Sequence, residues 1–155
     1  MFRRTYPEEA DIAFSALDCV VPGESVVYAS SPLTTGKRLY KLLERYGATD
    51  RDALKAEVGP EAVRRLVWDP NVDEATAFAR RLRDALDGCP LVITPAPLRA
   101  PGWSQQEYYD FWGDLLRSRT SAAYFNHEWQ YSNGCAYEFA VAKEAGIPTF
   151  DRDCR

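Results

Sequence analysis

The chain has 155 residues, 46% hydrophobic and 27% charged, a composition that fits one globular domain and excludes a disordered or low-complexity chain. Its formal charge of −4 is spread along the sequence without a basic stripe, which excludes sequence-independent binding to nucleic acid polymers. Apolar runs such as Val26-Val27-Tyr28-Ala29 and Leu91-Val92-Ile93 are too short to span a bilayer, and with no signal-type apolar core after Met1 a cytoplasmic location and no membrane contact are expected.

A short helix is expected over 8–17, then a turn at Pro22-Gly23 and a buried strand over 25–29 rich in β-branched and aromatic residues. After the loop Thr34-Thr35-Gly36, leucines at 39, 42 and 43 with Tyr46 give the helical spacing over 37–46, and Gly47 stops it. The charged stretch 49–69 reads as two short helices on either side of Gly59-Pro60, with Thr49 and Asp52 as a capping box. A longer helix follows over 72–86, broken at Gly88-Cys89-Pro90.

A second strand is expected over 91–94, opening into a proline-rich loop over 95–102. Ser104 and Glu107 form a capping box for a helix running to 117, and 122–126 reads as a third strand. The last long helix starts at Asn133 or Gly134 and runs to 145, closed by Gly146 and Pro148, before a short final strand at Thr149-Phe150. Strands alternating with helices predict one α/β domain over 1–155: a doubly wound, flavodoxin- or Rossmann-like parallel sheet of about four to five strands with flanking helices. Residues 1–24 form an N-terminal helical extension on this reading, and 49–70 a helical insert. Ligands of such sheets lie beyond the carboxyl ends of the strands, which makes the loops 30–36, 95–103 and 126–133 the expected site walls.

Chemistry concentrates in Ser132-Asn133-Gly134-Cys135-Ala136-Tyr137-Glu138. Ser132, Asn133 and Gly134 form a helix start whose free N–H groups can grip an anion or a polar sugar. Glu138 follows about one turn into that helix, where the helix dipole favours its ionised form; it reads either as a positioned nucleophile for an electrophilic sugar carbon or as a solvated helix-start glutamate. Tyr28 closes the first strand ahead of the small residues Ser30 and Ser31, and can place its hydroxyl beside a carboxylate or sit in the core. Asp110 and Asp114 lie on an acidic side of the helix 104–117, able to orient a sugar hydroxyl or simply form its wet face. Trp103 and Trp129 are placed to stack on a base or to cap the core edge, and Lys37 with Arg38 to bind phosphate or face solvent. The four cysteines show no Cys-x-x-Cys pair, and His127-Glu128 lacks the second histidine of a zinc helix because Tyr131 stands there; no metal or organic cofactor is expected.

These pieces together resemble the nucleoside 2-deoxyribosyltransferase-like superfamily, which includes the small nucleotide N-glycosidases. The resemblance rests on Val26-Val27-Tyr28-Ala29-Ser30-Ser31-Pro32, on Ser132 and Glu138 opening a helix, and on Ala145-Gly146-Ile147-Pro148 leading into the last strand. It implies an enzyme that cleaves or transfers the base–sugar bond of a nucleoside or nucleoside monophosphate through a covalent glycosyl ester on Glu138. Tyr28 would position that carboxylate, Asp114 (or Asp110) would serve the sugar or the leaving base, and Ser132 would hold the 5′ side. The resemblance also implies a homodimer or higher homo-oligomer. The loop after the first strand, Ser31-Pro32-Leu33-Thr34, departs from the family's glycine–serine and arginine phosphate loop. Two other readings stay open: a non-catalytic nucleotide or sugar-nucleotide sensing module using the same pocket, and an interaction module built on Trp103, Tyr109, Trp129 and Tyr131.

Overall fold

Five consecutive apolar or small residues without alternation require a strand covered on both faces, and Val26–Ser30 (β1) is buried along its whole length. The computed structural model describes residues 5–21, 26–88 and 90–153. Around β1 lie Val92–Ile93 (β2), Thr120–Phe125 (β3) and Thr149–Asp151 (β4), in the order β2-β1-β3-β4 and parallel throughout. The connection leaving β1 and the one leaving β3 depart on opposite faces, so the crevice where the order reverses lies at the carboxyl ends of these two strands.

Seven α-helices flank the sheet among the described residues: Tyr6–Val20 (α1), Lys37–Tyr46 (α2), Arg51–Val58 (α3), Pro60–Val63 (α4), Asp69–Ala85 (α5), Gln105–Arg119 (α6) and Asn133–Glu144 (α7). Strand periodicity sorts β1 into two faces. Val26 and Tyr28 join α1, α6 and α7 through Ala10, Phe111, Leu115 and Val141, whereas Val27 and Ala29 pack on Phe78 and Leu82 of α5. A smaller cluster of Leu39, Leu54, Val63 and Val67 ties the 49–70 segment to α2. The single α/β domain with a four-strand parallel sheet matches the sequence expectation. No helix among the described residues is long and apolar enough to cross a membrane.

Local differences from the sequence reading have local causes. Asp50, not Thr49, caps α3, its carboxylate accepting from Ala53 N at 2.8 Å. The segment after Gly59 does not stay separate from the long helix: α4 passes through a π-helical stretch, Arg64–Trp68, straight into α5. Pro70 has no N–H to give to an α-helical ladder, and a widened turn just before it accommodates that gap. The first helix runs longer than 8–17 because Thr5 and Glu8 form a capping box. β3 starts at Thr120, two residues earlier than expected, and its pairing with β1 shifts register between Val26 and Val27. β2 is shorter than 91–94. The expected turn at Pro22-Gly23, the strand start at Ser25, and Cys89 and Cys154 lie outside the described residues.

Candidate active site

Residues 28 and 30 lie on the same side of β1 by strand periodicity, the side covered by α7. Glu138, on the inward face of α7, meets both. Tyr28 Oη donates to Glu138 Oε1 at 2.9 Å and Ser30 Oγ donates to Oε2 at 2.5 Å. The glutamate is only 7% exposed, and burial pushes its carboxyl up to about 7, against the opposing pull of the Ser30 and Tyr28 hydrogen bonds. This corrects the expectation of a dipole-held, freely ionised carboxylate: Glu138 is the sixth residue of α7, past the first turn where the dipole acts, and desolvation dominates. Burial first, then the neighbouring carboxylate, drives the Tyr28 hydroxyl well above its ordinary range, so it remains a donor.

Glu138 opens into a cavity of about 410 Å³ at the carboxyl end of the sheet, and it is the only carboxylate among the described residues lining it. Ser31, Ser132, Asn133 and Gly134 line the same space. The start of α7 is partly satisfied from within: Ser132 Oγ accepts from Cys135 N at 3.4 Å and Thr35 Oγ1 accepts from Asn133 N at 3.1 Å. The free N–H groups expected there are thereby reduced, and the loop after β1 is pinned to α7. Cys135 also reaches the cavity, but burial pushes its thiol up to about 12, which leaves it a neutral neighbour of Glu138 rather than a nucleophile.

Comparison of the chain with protein-family models, with curated proteins and with solved structures finds no match.

The structure does not bring the remaining expected residues to Glu138. Asp114 is 61% exposed at its side chain and pairs with Arg117 at 3.5 Å. Asp110 accepts from Gln106 at 2.8 Å; with Glu107 and Asp114 it raises the Tyr6 hydroxyl, which burial in the first place pushes up to about 12. The acidic side of α6 thus faces α1, away from the cavity, because its opposite side carries Tyr108, Tyr109 and Trp112 into the cavity wall. Ser30, expected to touch the ligand, is fully buried behind Glu138. Trp103 clamps α1 to α6, with its ring 4.9 Å from Tyr6 and its indole N–H donated to Glu9 at 2.6 Å. Trp129 stacks on Phe139 at 4.6 Å. Lys37 pairs with Glu128 at 2.6 Å and lines a different concavity.

Two residues that sequence reasoning passed over complete the cavity. Arg51 from α3 and Arg99 from the proline-rich loop both line it. Arg99 lies over the Trp68 ring at 4.5 Å, and neither guanidinium has an ion pair among the described residues. Beside them two buried polar atoms, Ser31 Oγ and Trp68 Nε1, have no hydrogen-bond partner among the described residues. Unpaired buried polar groups of this kind carry a desolvation cost that a ligand would relieve. The signal available in the sequence was slight: two arginines in segments set apart by composition, the charged insert and the proline-rich loop.

Proposed function

We propose that the chain cleaves or transfers the N-glycosidic bond of a nucleoside monophosphate, with Glu138 as the nucleophile, and that it is a member of the nucleoside 2-deoxyribosyltransferase-like superfamily that its motifs resemble. The observation that carries this reading is the Glu138 carboxylate, held at both oxygens by Tyr28 and Ser30 and facing a cavity that also holds two unpaired arginines. In the proposed reaction the ionised Glu138 attacks the anomeric carbon as the C–N bond breaks. The bonding pair leaves with the base, which takes up a proton from solvent, and a glycosyl ester forms on Glu138. Water then attacks the same carbon, or a second base does, giving up a proton to solvent as the carboxylate is released. Burial raises the Glu138 carboxyl towards neutrality, and the growing positive charge on the sugar favours its anion.

Phosphate recognition, which the loop after β1 does not supply by its own side chains, is assigned in this reading to Arg51 and Arg99, with Ser132 and the start of α7 beside them. Guanidinium groups suit a phosphate monoester because they bind it through paired, charge-assisted hydrogen bonds. The aromatic wall of Tyr108, Tyr109 and Trp112 supplies flat apolar surface for a base.

Base release from a panel of nucleosides and 5′-monophosphates, with the wild type and Glu138→Ala, tests the reading. Release by the wild type alone supports it, and addition of a free acceptor base separates transfer from hydrolysis. Equal release by both proteins would remove Glu138 from the mechanism. The absence of a second carboxylate from the described cavity lining favours one alternative, a sensing module that binds a nucleotide without turnover. Saturable binding without base release would establish that alternative. The homodimer or higher oligomer implied by the resemblance belongs to the same proposal, and light scattering on the eluting protein checks it.

A further inference from the structure

A second concavity, of about 440 Å³, lies on the other side of the loop that follows β1. Pro32 and Gly36 line it, whereas Ser31, Leu33, Thr34 and Thr35 line the cavity of Glu138. In a chain with a net charge of −4, this concavity gathers Lys37, Arg38, Lys41, Arg81 and Arg152.

Among the described residues that line it, Glu74 and Glu128 are the carboxylates, and both are already engaged. Glu128 accepts from Lys37 at 2.6 Å and Glu74 from Arg38 at 2.6 Å. Lys41, Arg81 and Arg152 have no ion pair among the described residues. Asn126, 6% exposed, also lines the concavity. Its Oδ1 accepts from His127 N at 2.8 Å, and its amide nitrogen has no acceptor among the described residues. Low-dielectric walls focus the field of such a cluster, and a concavity of this volume is the size of a small-molecule site.

We propose that this concavity is a binding site for an oligophosphate, a chain of two or three phosphates either free or carried by a nucleotide. The excess of positive charge matches a multiply charged anion better than a single phosphate. The cations come from three separate segments, α2, α5 and the turn after β4. A phosphate chain can bridge such a spread of donors, which a single tetrahedral anion spans only in part. Arg38 also donates to Asn71 Oδ1 at 2.8 Å, and Asn71 Nδ2 donates to the Leu33 carbonyl at 2.7 Å, which fixes the loop forming the shared wall before any ligand arrives. The site is independent of the chemistry assigned to Glu138.

Isothermal titration at about 0.15 M salt with inorganic tripolyphosphate, adenosine triphosphate and orthophosphate tests it. Tripolyphosphate is expected to bind at least about tenfold more tightly than orthophosphate, since each added anionic group gains further charge-assisted contacts. Equal affinities for tripolyphosphate and adenosine triphosphate assign the phosphate chain alone as the determinant, and tighter binding of the nucleotide adds its base. The double variant Lys41→Glu/Arg81→Glu is expected to lose at least about tenfold in affinity. Arg152→Ala, a change at an exposed position, gives a milder loss in the same direction. Arg83→Ala, an exposed position that lines neither cavity, is the control and is expected to leave the affinity within about twofold, because it is outside the proposed contacts. No binding of tripolyphosphate, wild-type affinity in the charge-reversed and Arg152→Ala variants, or an equal loss in Arg83→Ala would each overturn the assignment.

Discussion

Ser30 and Glu138, separated by 108 positions in the chain, share the shortest side-chain hydrogen bond in the described site, 2.5 Å from Oγ to Oε2. A hydroxyl donated to a buried carboxylate stabilises its ionised form, and hydrogen bonds to charged groups contribute about 1.5–3 kcal/mol. Removing it in Ser30→Ala should therefore raise the carboxyl above its value of about 7, by roughly one to two pH units. If Glu138 must be ionised to act, base release at pH 7 falls on the order of tenfold and recovers at alkaline pH. A pH–rate profile of Ser30→Ala checks this. An unchanged acidic limb would mean that Ser30 does not act on Glu138.

Stability should depend on pH through the same carboxyl. Its folded value lies above the ordinary glutamate value of 4.5, so the fold favours the protonated form. The contribution is fully present below about pH 4.5, declines as pH rises towards 7, and is level above that, a fall on the order of 3 kcal/mol. Glu138→Gln removes the titration. Denaturant melts of both proteins between pH 5 and 8 should show wild-type stability falling and the variant's remaining nearly flat in comparison.

Arg51 and Arg99 should act on the phosphate and not on the sugar or base. Replacing either by alanine is expected to raise KM for a nucleoside monophosphate by about 10- to 100-fold, the loss of one charge-assisted contact. The matching nucleoside, with no phosphate to lose, should change by less than about threefold. Steady-state kinetics on the pair of substrates gives the comparison. An equal change for both would place the arginines outside phosphate binding.

Gly113 of α6 lies against the ring tip of Tyr137 on α7. A Cβ there would stand 2.9 Å from Tyr137 Oη and 3.1 Å from Arg117 Nη1, and the Tyr137 ring is stacked on Tyr109 at 4.8 Å in the cavity wall. Gly113→Val should thus overpack the interface and cost about 1–3 kcal/mol. Thermal unfolding should show a Tm lower by several degrees. Because Tyr109 lines the cavity, ligand affinity should weaken in the same variant.

The sequence by itself determined the layered fold. Val26 to Ser30 cannot be anything but a strand covered on both faces once its apolar run is set between turn residues, and the spacing of Leu39, Leu42 and Leu43, or of Phe111 and Leu115, fixes which helix faces turn inward. It also marked Tyr28 and Glu138 as the pair to watch, since one lies in the central strand just ahead of small residues and the other follows a serine-capped helix start. Those are local patterns, and local patterns survive in a linear reading. Only the tertiary structure decided the rest. The role of Ser30 follows from its sharing a face of β1 with Tyr28 under α7. Asp114 fell away from the cavity because the opposite side of α6 is the one that packs towards it. Arg51 and Arg99, 48 positions apart in the chain, line one cavity because a continuous helix from Pro60 to Ala85, widened by its π-helical stretch, carries Trp68 to the wall between them. Burial, which raised Glu138 to about 7, is a property of everything packed around a carboxylate, and no stretch of sequence contains it.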